Sequence, residues 1–200
     1  MTATPTRSPA KRADAQRSIA AILAAAVECL GRNPDASVSE IAKAAGVGRV
    51  TLYGHFPNRV DLVDAAFARA VEEGHAALSE VDLEGDPRAA MARLIESSWL
   101  LVEQSRSLLL AAQAVLPPGR IRALHAGPAE RVQRLIERGQ AEDLFRTDLP
   151  TSWLVGIMHS VMHSAADEIN AGGLVPDQAA PFITATLLAA FTPPGHRTPA

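Results

Sequence analysis

Residues 37–56 constrain the fold more than any other stretch. Ser37-Val38-Ser39-Glu40 has the spacing of a capping box, in which the Ser37 hydroxyl accepts from the Glu40 amide and the Glu40 carboxylate accepts from the Ser37 amide. A short helix is expected to follow, with Val38, Ile41 and Ala45 inward and Gly46 as its end. Val47 then plugs the turn, and Gly48 caps a further helix over about Arg49–His55. Pro57 ends that helix, because the residue before a proline resists helical geometry. Two short helices joined by a tight glycine turn make a helix-turn-helix layout. In that motif the second helix lies in the major groove of DNA, with its N-terminal residues at the base edges.

The residues around the turn fit this reading. Ile41, Val47, Leu52 and Phe56 are placed to lock the pair against an earlier helix, expected from about Asp14. That helix carries Ile19, Ile22, Leu23, Ala26, Val27 and Leu30 at three- and four-residue steps, one apolar stripe that Gly31 stops. One face of the second motif helix is left for Arg49, Val50, Thr51, Tyr53 and His55, a set without an acid. Acids there would repel phosphate. Charge along the chain agrees. Residues 1–60 hold eight Lys and Arg against four Asp and Glu, a balance of +4, while the other 140 hold eleven against eighteen, or −7. A basic head on an acidic body points the head toward a polyanion.

Gly46-Val47-Gly48-Arg49-Val50-Thr51-Leu52-Tyr53-Gly54-His55-Phe56, followed by Asn58-Arg59, resembles the signature of the tetracycline-repressor (TetR) family. The likeness covers roughly residues 14–67, and Gln140–Pro150 is similar to what members carry before their dimerisation helices. It implies an all-α homodimer of about nine helices per chain, usually a repressor released from a palindromic operator by a small ligand. Residue by residue, it places Arg49 at bases, where a guanidinium can bond O6 and N7 of a guanine. Val50 is set against a thymine methyl, and Thr51, Tyr53 and His55 against phosphates or nearby bases. Arg59 takes a position where the family usually has Lys, at a helix N-terminus that suits a phosphate. Ser37 and Ser39 meet backbone oxygens, and Arg17 with the arm Arg7–Arg12 adds phosphate or minor-groove contacts. Three departures stand out: Gly48 replaces the common Ser, Val60 a common Glu, and Gly54 has no side chain where some members read a base.

The rest of the 200-residue chain is expected to be helical. Apolar residues make up 48 % but aromatics only 4 %, so Ala, Leu, Val and Ile must fill the core. That composition favours packed helices over sheets. Breaks are expected at Gly85-Asp86-Pro87, at Pro117-Pro118-Gly119 and at Gly172-Gly173 with Pro176. Between them the pattern predicts a fourth helix to about Ser79, a fifth to about Glu103 and a sixth to about Val115. A seventh runs to about Gln140 with an interruption near Gly127-Pro128, then an eighth over 151–170 and a ninth over 177–191. The expected organisation is a disordered basic arm (1–13), an N-terminal three-helix DNA-binding domain (14–57), a C-terminal helical ligand-binding and dimerisation domain (58–191) and a disordered tail (192–200). The lone Cys29 reads as a buried thiol in a reducing cytosol, with a redox-sensing thiol as the alternative. Without a signal-peptide pattern or an apolar run of membrane length, a cytoplasmic protein with no membrane partner is expected.

In the body, Trp99, Gln113, His125, Trp153, Met158, His159, Met162 and His163 are polar, aromatic or polarisable residues on apolar helices. They are candidates to line a site for a small hydrophobic ligand. His159 and His163, four residues apart, share a helix face; metal ligation, a ligand-lining or interface role, and ordinary core or surface positions all remain open. With no completing ligand nearby in sequence, no metal or other cofactor is expected. Gly156, Ser160 and Ser164 of the eighth helix, with Ile183, Leu187 and Leu188 of the ninth, are expected to form a two-fold four-helix interface. No Gly-rich phosphate loop or supported catalytic triad is present, so no enzyme is expected. The alternative to a regulator is a helical ligand carrier or cofactor-binding bundle; the acid-free helix face separates the two.

Overall fold

The computed structural model describes residues 9–195, with only the backbone given for 9–12, Ala126, Pro128 and Asn170. Among these residues there are nine α-helices and no strand. They are α1 (Pro9–Arg32), α2 (Val38–Ala44), α3 (Arg49–His55), α4 (Arg59–Ser79), α5 (Pro87–Val115), α6 (Pro118–Leu124), α7 (Ala126–Ala141), α8 (Thr151–Ala171) and α9 (Pro176–Phe191). The chain divides into two compact units. One runs through Ala70 and takes in Ser107–Ile121; the other holds Val71–Arg106 and the chain from Arg122 onward.

Three elements differ from the sequence expectation. First, α1 begins at Pro9 rather than near Asp14. Proline is pre-organised for a first helical turn, and Ala10-Lys11-Arg12-Ala13 are good helix formers that extend it without an apolar stripe. Second, the expected fifth and sixth helices are one 29-residue helix, α5. Its polar stretch Glu103–Ser107 imitates an end, but it holds no glycine or proline, and Arg106 finds a partner in the Ala166 carbonyl at 3.2 Å. Third, the interruption expected at Gly127-Pro128 falls at His125. Pro128 then sits in the first turn of α7, where its missing N–H costs no helical bond. The arm residue Arg7 and residues 196–200 of the tail lie outside the described residues.

The first unit is built on the α1 stripe. Ile22, Ala26 and Leu30 are fully buried, as are Ile41 of α2, Leu52 of α3 and Leu62, Val63 and Ala66 of α4. The second unit has a larger core. It contains Met91, Leu94, Ile95 and Trp99 of α5, Val132, Leu135 and Ile136 of α7, Met158 and Met162 of α8, and Ile183, Leu187 and Phe191 of α9. Burying each such side chain contributes roughly 1.5–3 kcal/mol.

The connection after α7 is anchored by one close approach. The amides of Leu144 and Phe145 both donate to the Gly139 carbonyl, at 2.8 and 3.0 Å. The Phe145 ring lies so close over Gly139 that a Cβ there would come within 2.1 Å of it. Phe145 in turn meets Phe191 edge-to-face, with ring centroids 5.8 Å apart. Only glycine leaves room for this plug.

Candidate nucleic-acid interface and helical body

The helix-turn-helix is positioned by local bonds. The Glu40 amide donates to the Ser37 hydroxyl at 3.2 Å, and the Ser37 amide donates to the Glu40 carboxylate at 2.7 Å. The bond from the Ser37 amide, and after it the Ser37 hydroxyl beside the carboxylate, hold the Glu40 carboxyl below its ordinary range. Gly46 takes a φ of +67°, a left-handed conformation that suits glycine. The Val47 amide returns to the Ala42 carbonyl at 3.0 Å, which folds the turn back on α2. Gly48 caps α3 through its backbone alone.

These constraints orient α3. Leu52 is buried, while Arg49, Val50, Thr51, Tyr53 and Gly54 are exposed and His55 is half-buried. Val50 stands 88 % exposed, a large value for an aliphatic side chain with no partner of its own. No acidic residue lies on α3. Ser37 and Ser39 are exposed at the start of α2. Arg17 is exposed on α1 and paired with Asp14. Of the nine residues expected at DNA, eight are therefore at least partly open to solvent. Arg59 differs: its guanidinium donates to the main-chain carbonyls of Ala36 and Pro34.

The eight residues expected to line a ligand site do not form one group. Trp99, Met158 and Met162 are core residues, because they fall on the inward faces of α5 and α8. Trp153 is 61 % exposed, on the outer side of α8. Gln113 is exposed on the part of α5 that belongs to the first unit. What remains is a cluster of half-buried histidines. The rings of His125 and His159 meet edge-on at 6.3 Å between centroids, with His163 one turn along α8. Burial, and then the neighbouring His125, lower the readiness of His159 and His163 to take a proton. His75 of α4, which the sequence did not single out, lies against Gly127, where a Cβ would stand 3.4 Å from its ring. It sits in a polar run of α4, so no periodicity marks it. Among the described residues no group of three or more His, Cys, Asp or Glu is arranged to hold a metal ion. No described helix is long and apolar enough to cross a membrane.

The expected interface residues separate likewise. Gly156, Ser160 and Ser164 form an exposed stripe on α8, where the Ser160 hydroxyl donates to the Gly156 carbonyl at 3.0 Å. Ile183 and Leu187 are instead buried in the chain's own core, and Leu188 is half-buried. With Ala179 and Phe191 they occupy one face of α9 at four-residue steps, and that face meets the core. Phe182 and Thr186 are among the α9 side chains that open outward. Together with Ser160 and Ser164 they line a shallow groove of about 300 Å³.

Comparison with known proteins agrees with this geometry. The sequence pattern of the bacterial regulatory proteins of the tetR family matches residues 22–66. The HTH-type transcriptional repressor LfrR of Mycolicibacterium smegmatis is 26 % identical over 157 residues, which span 78 % of this chain and 82 % of that protein. The crystal structure of LfrR in complex with proflavine superposes with a TM-score of 0.67, covering 92 % of this chain and 98 % of that one. The fatty acid degradation regulator FadR of Bacillus halodurans shares the fold, with a TM-score of 0.72 at 19 % identity over 92 % of this chain and 97 % of that one. The outward α3, the signature that carries it and a helical body matched along nearly its whole length agree: residues 22–66 carry the pattern of the tetR family, and the chain as a whole is similar to DNA-binding transcriptional regulators of that family.

Proposed function

We propose that this protein is a homodimeric repressor that holds a palindromic operator through residues 14–57 and leaves it when the body, 58–191, takes up a small hydrophobic ligand. The observation that carries the reading is the exposed, acid-free face of α3 on a motif whose other faces are buried. Arg49 reads a base pair, Val50 contacts a thymine methyl, and Thr51, Tyr53 and His55 bind phosphates or adjacent bases. Ser37 and Ser39 are exposed at the start of α2, where their hydroxyls can meet phosphate oxygens. Arg17 adds charge on α1.

Two-fold pairing uses the exposed stripe Gly156, Ser160 and Ser164 of α8. Small residues let two helices approach closely, and Trp153 and Phe182 supply apolar area beside them. The ligand reading draws on LfrR, a repressor whose structure holds proflavine. Here the His125, His159 and His163 cluster is the polar part of the body a ligand would meet. A DNA partner places the protein in the cytoplasm.

A mobility-shift titration against the DNA upstream of the protein's own gene tests the central claim, with sedimentation to report the oligomer. A shift that hydrophobic ligands reverse is the expected result. A folded dimer that fails to shift this DNA even at low salt rules the reading out.

A further inference from the structure

Arg59 opens α4, where charge alone would assign it to a phosphate. The structure turns it inward. Its side chain is half-buried, Nη1 donates to the Ala36 carbonyl, and Nη2 donates to the Pro34 carbonyl at 2.8 Å. The start of α4 is already supplied from within: the Asp61 amide donates to the Asn58 side chain, and Asn58 donates to the Asp61 carboxylate, both at 2.9 Å. That carboxylate also meets the positive end of the helix, where a phosphate would otherwise bind.

The turn that Arg59 holds is otherwise self-contained. The Asn33 amide bonds the Cys29 carbonyl at 2.9 Å, the Ala36 amide bonds the Asn33 carbonyl at 3.0 Å, and the Asp35 amide bonds the Asn33 side chain at 3.0 Å. Its amides are satisfied locally, while two of its carbonyls rely on the guanidinium. Ala36 is buried and directly precedes Ser37, the cap of α2. A bond to its carbonyl therefore fixes where α2 begins relative to α4, and α2 packs on both α1 and α3.

We propose that Arg59 is a positioning residue for operator recognition: it touches no DNA, and its fork locks the start of α2, so that α3 is presented in the orientation that binds. This rests on the DNA-binding reading above. A planar guanidinium can span two carbonyls, whereas a lysine ammonium is a single point charge on a flexible stem. A phosphate contact would tolerate lysine; a two-carbonyl lock would not. When only a fraction of molecules holds the competent orientation, apparent affinity falls by that fraction.

The test compares full-length wild type, Arg59→Lys and Arg49→Ala for operator affinity across a salt series, with amide hydrogen exchange over residues 36–45. Arg59→Lys is expected to bind the operator about tenfold more weakly at an unchanged salt dependence, with faster exchange over this segment. Arg49→Ala should weaken operator binding and leave the exchange as in wild type. Wild-type affinity in Arg59→Lys overturns the proposal, whatever the exchange shows. So does weakened binding with unaltered exchange, since that marks a direct guanidinium contact. In unaltered protein, the ¹⁵N guanidinium resonance of Arg59 should keep its shift when operator is added; a displaced signal overturns the proposal even if the variant fails to fold. Wild type that binds no DNA, with a static Arg59, removes the DNA-binding reading itself and with it this role.

Discussion

Arginines in the two compact units can be put to opposite uses. In the first, Arg49 stands on the outer face of α3, exposed and donating to no described protein atom. In the second, three arginines turn inward onto the connection between α4 and α5. Arg131 of α7 donates to the Leu78 and Val81 carbonyls, and Arg138 to those of Leu83 and Gly85, at 2.6 and 3.0 Å. Arg93 of α5 donates to Asp82 and Glu84, at 2.9 and 2.7 Å. The last carbonyls of a helix have no partner within it, and α4 has no basic residue in its last turn, so Arg131 supplies donors from another helix. A cation committed to main-chain oxygens builds the fold. A cation left in solvent is available to a polyanion. Arg59 belongs to the first unit by position and to the second pattern by its bonds.

The contrast can be broken experimentally, beginning with the largest expected effect. Phe145→Ala removes the ring that seats on Gly139 and Phe191, and should cost about 3–5 kcal/mol in denaturant unfolding. If the units are energetically separate, only the transition of the second should move. Next comes the arginine pair. Arg131→Met strips donors from two carbonyls and should lower stability by about 2 kcal/mol, with operator affinity per folded molecule unchanged. Arg49→Ala should do the reverse: stability within about 0.5 kcal/mol of wild type, and a loss of about 1–3 kcal/mol in discrimination at one base pair per half-site. Equal stability losses in the two variants would erase the distinction. Ser37→Ala opens the capping box and should cost about 1 kcal/mol, confined to the first unit's thermal transition.

The smallest effect concerns pH. His159 and His163 both take protons less readily folded than unfolded, chiefly because they are part-buried. Between the ordinary histidine value of 6.5 and the lowered folded values, the unfolded chain therefore holds more protons. Stability of the second unit should fall as pH drops through this window and level off below it. His159→Asn/His163→Asn should flatten that slope; a slope that survives the double change assigns it to other groups.

Legibility followed the range of the interaction. The capping box of Ser37 and Glu40, the glycine turn at Gly46 and the inward Leu52 were all readable, because each depends on neighbours within a few residues. The histidine cluster was half readable: the spacing of His159 and His163 is local, but His125 arrives from the break between α6 and α7. Trp99 and Trp153 show the limit. Both are tryptophans on long apolar helices, and one is core while the other is open to solvent. α9 repeats the lesson. Its apolar residues surround more than one side, so sequence alone could not say that Ile183 and Leu187 face the chain's own core and Phe182 faces out.

The sequence by itself therefore determined the helix-turn-helix, the acid-free face of α3 and the nearly all-helical body, since capping, turn geometry and helical periodicity are short-range effects. Tertiary structure alone decided which apolar faces are buried, that α5 continues through its polar stretch, and where each guanidinium points. Arginine has a long side chain and donors that fit a carbonyl as well as a phosphate. Its charge is written in the sequence, but its partner depends on which oxygen the fold brings within reach.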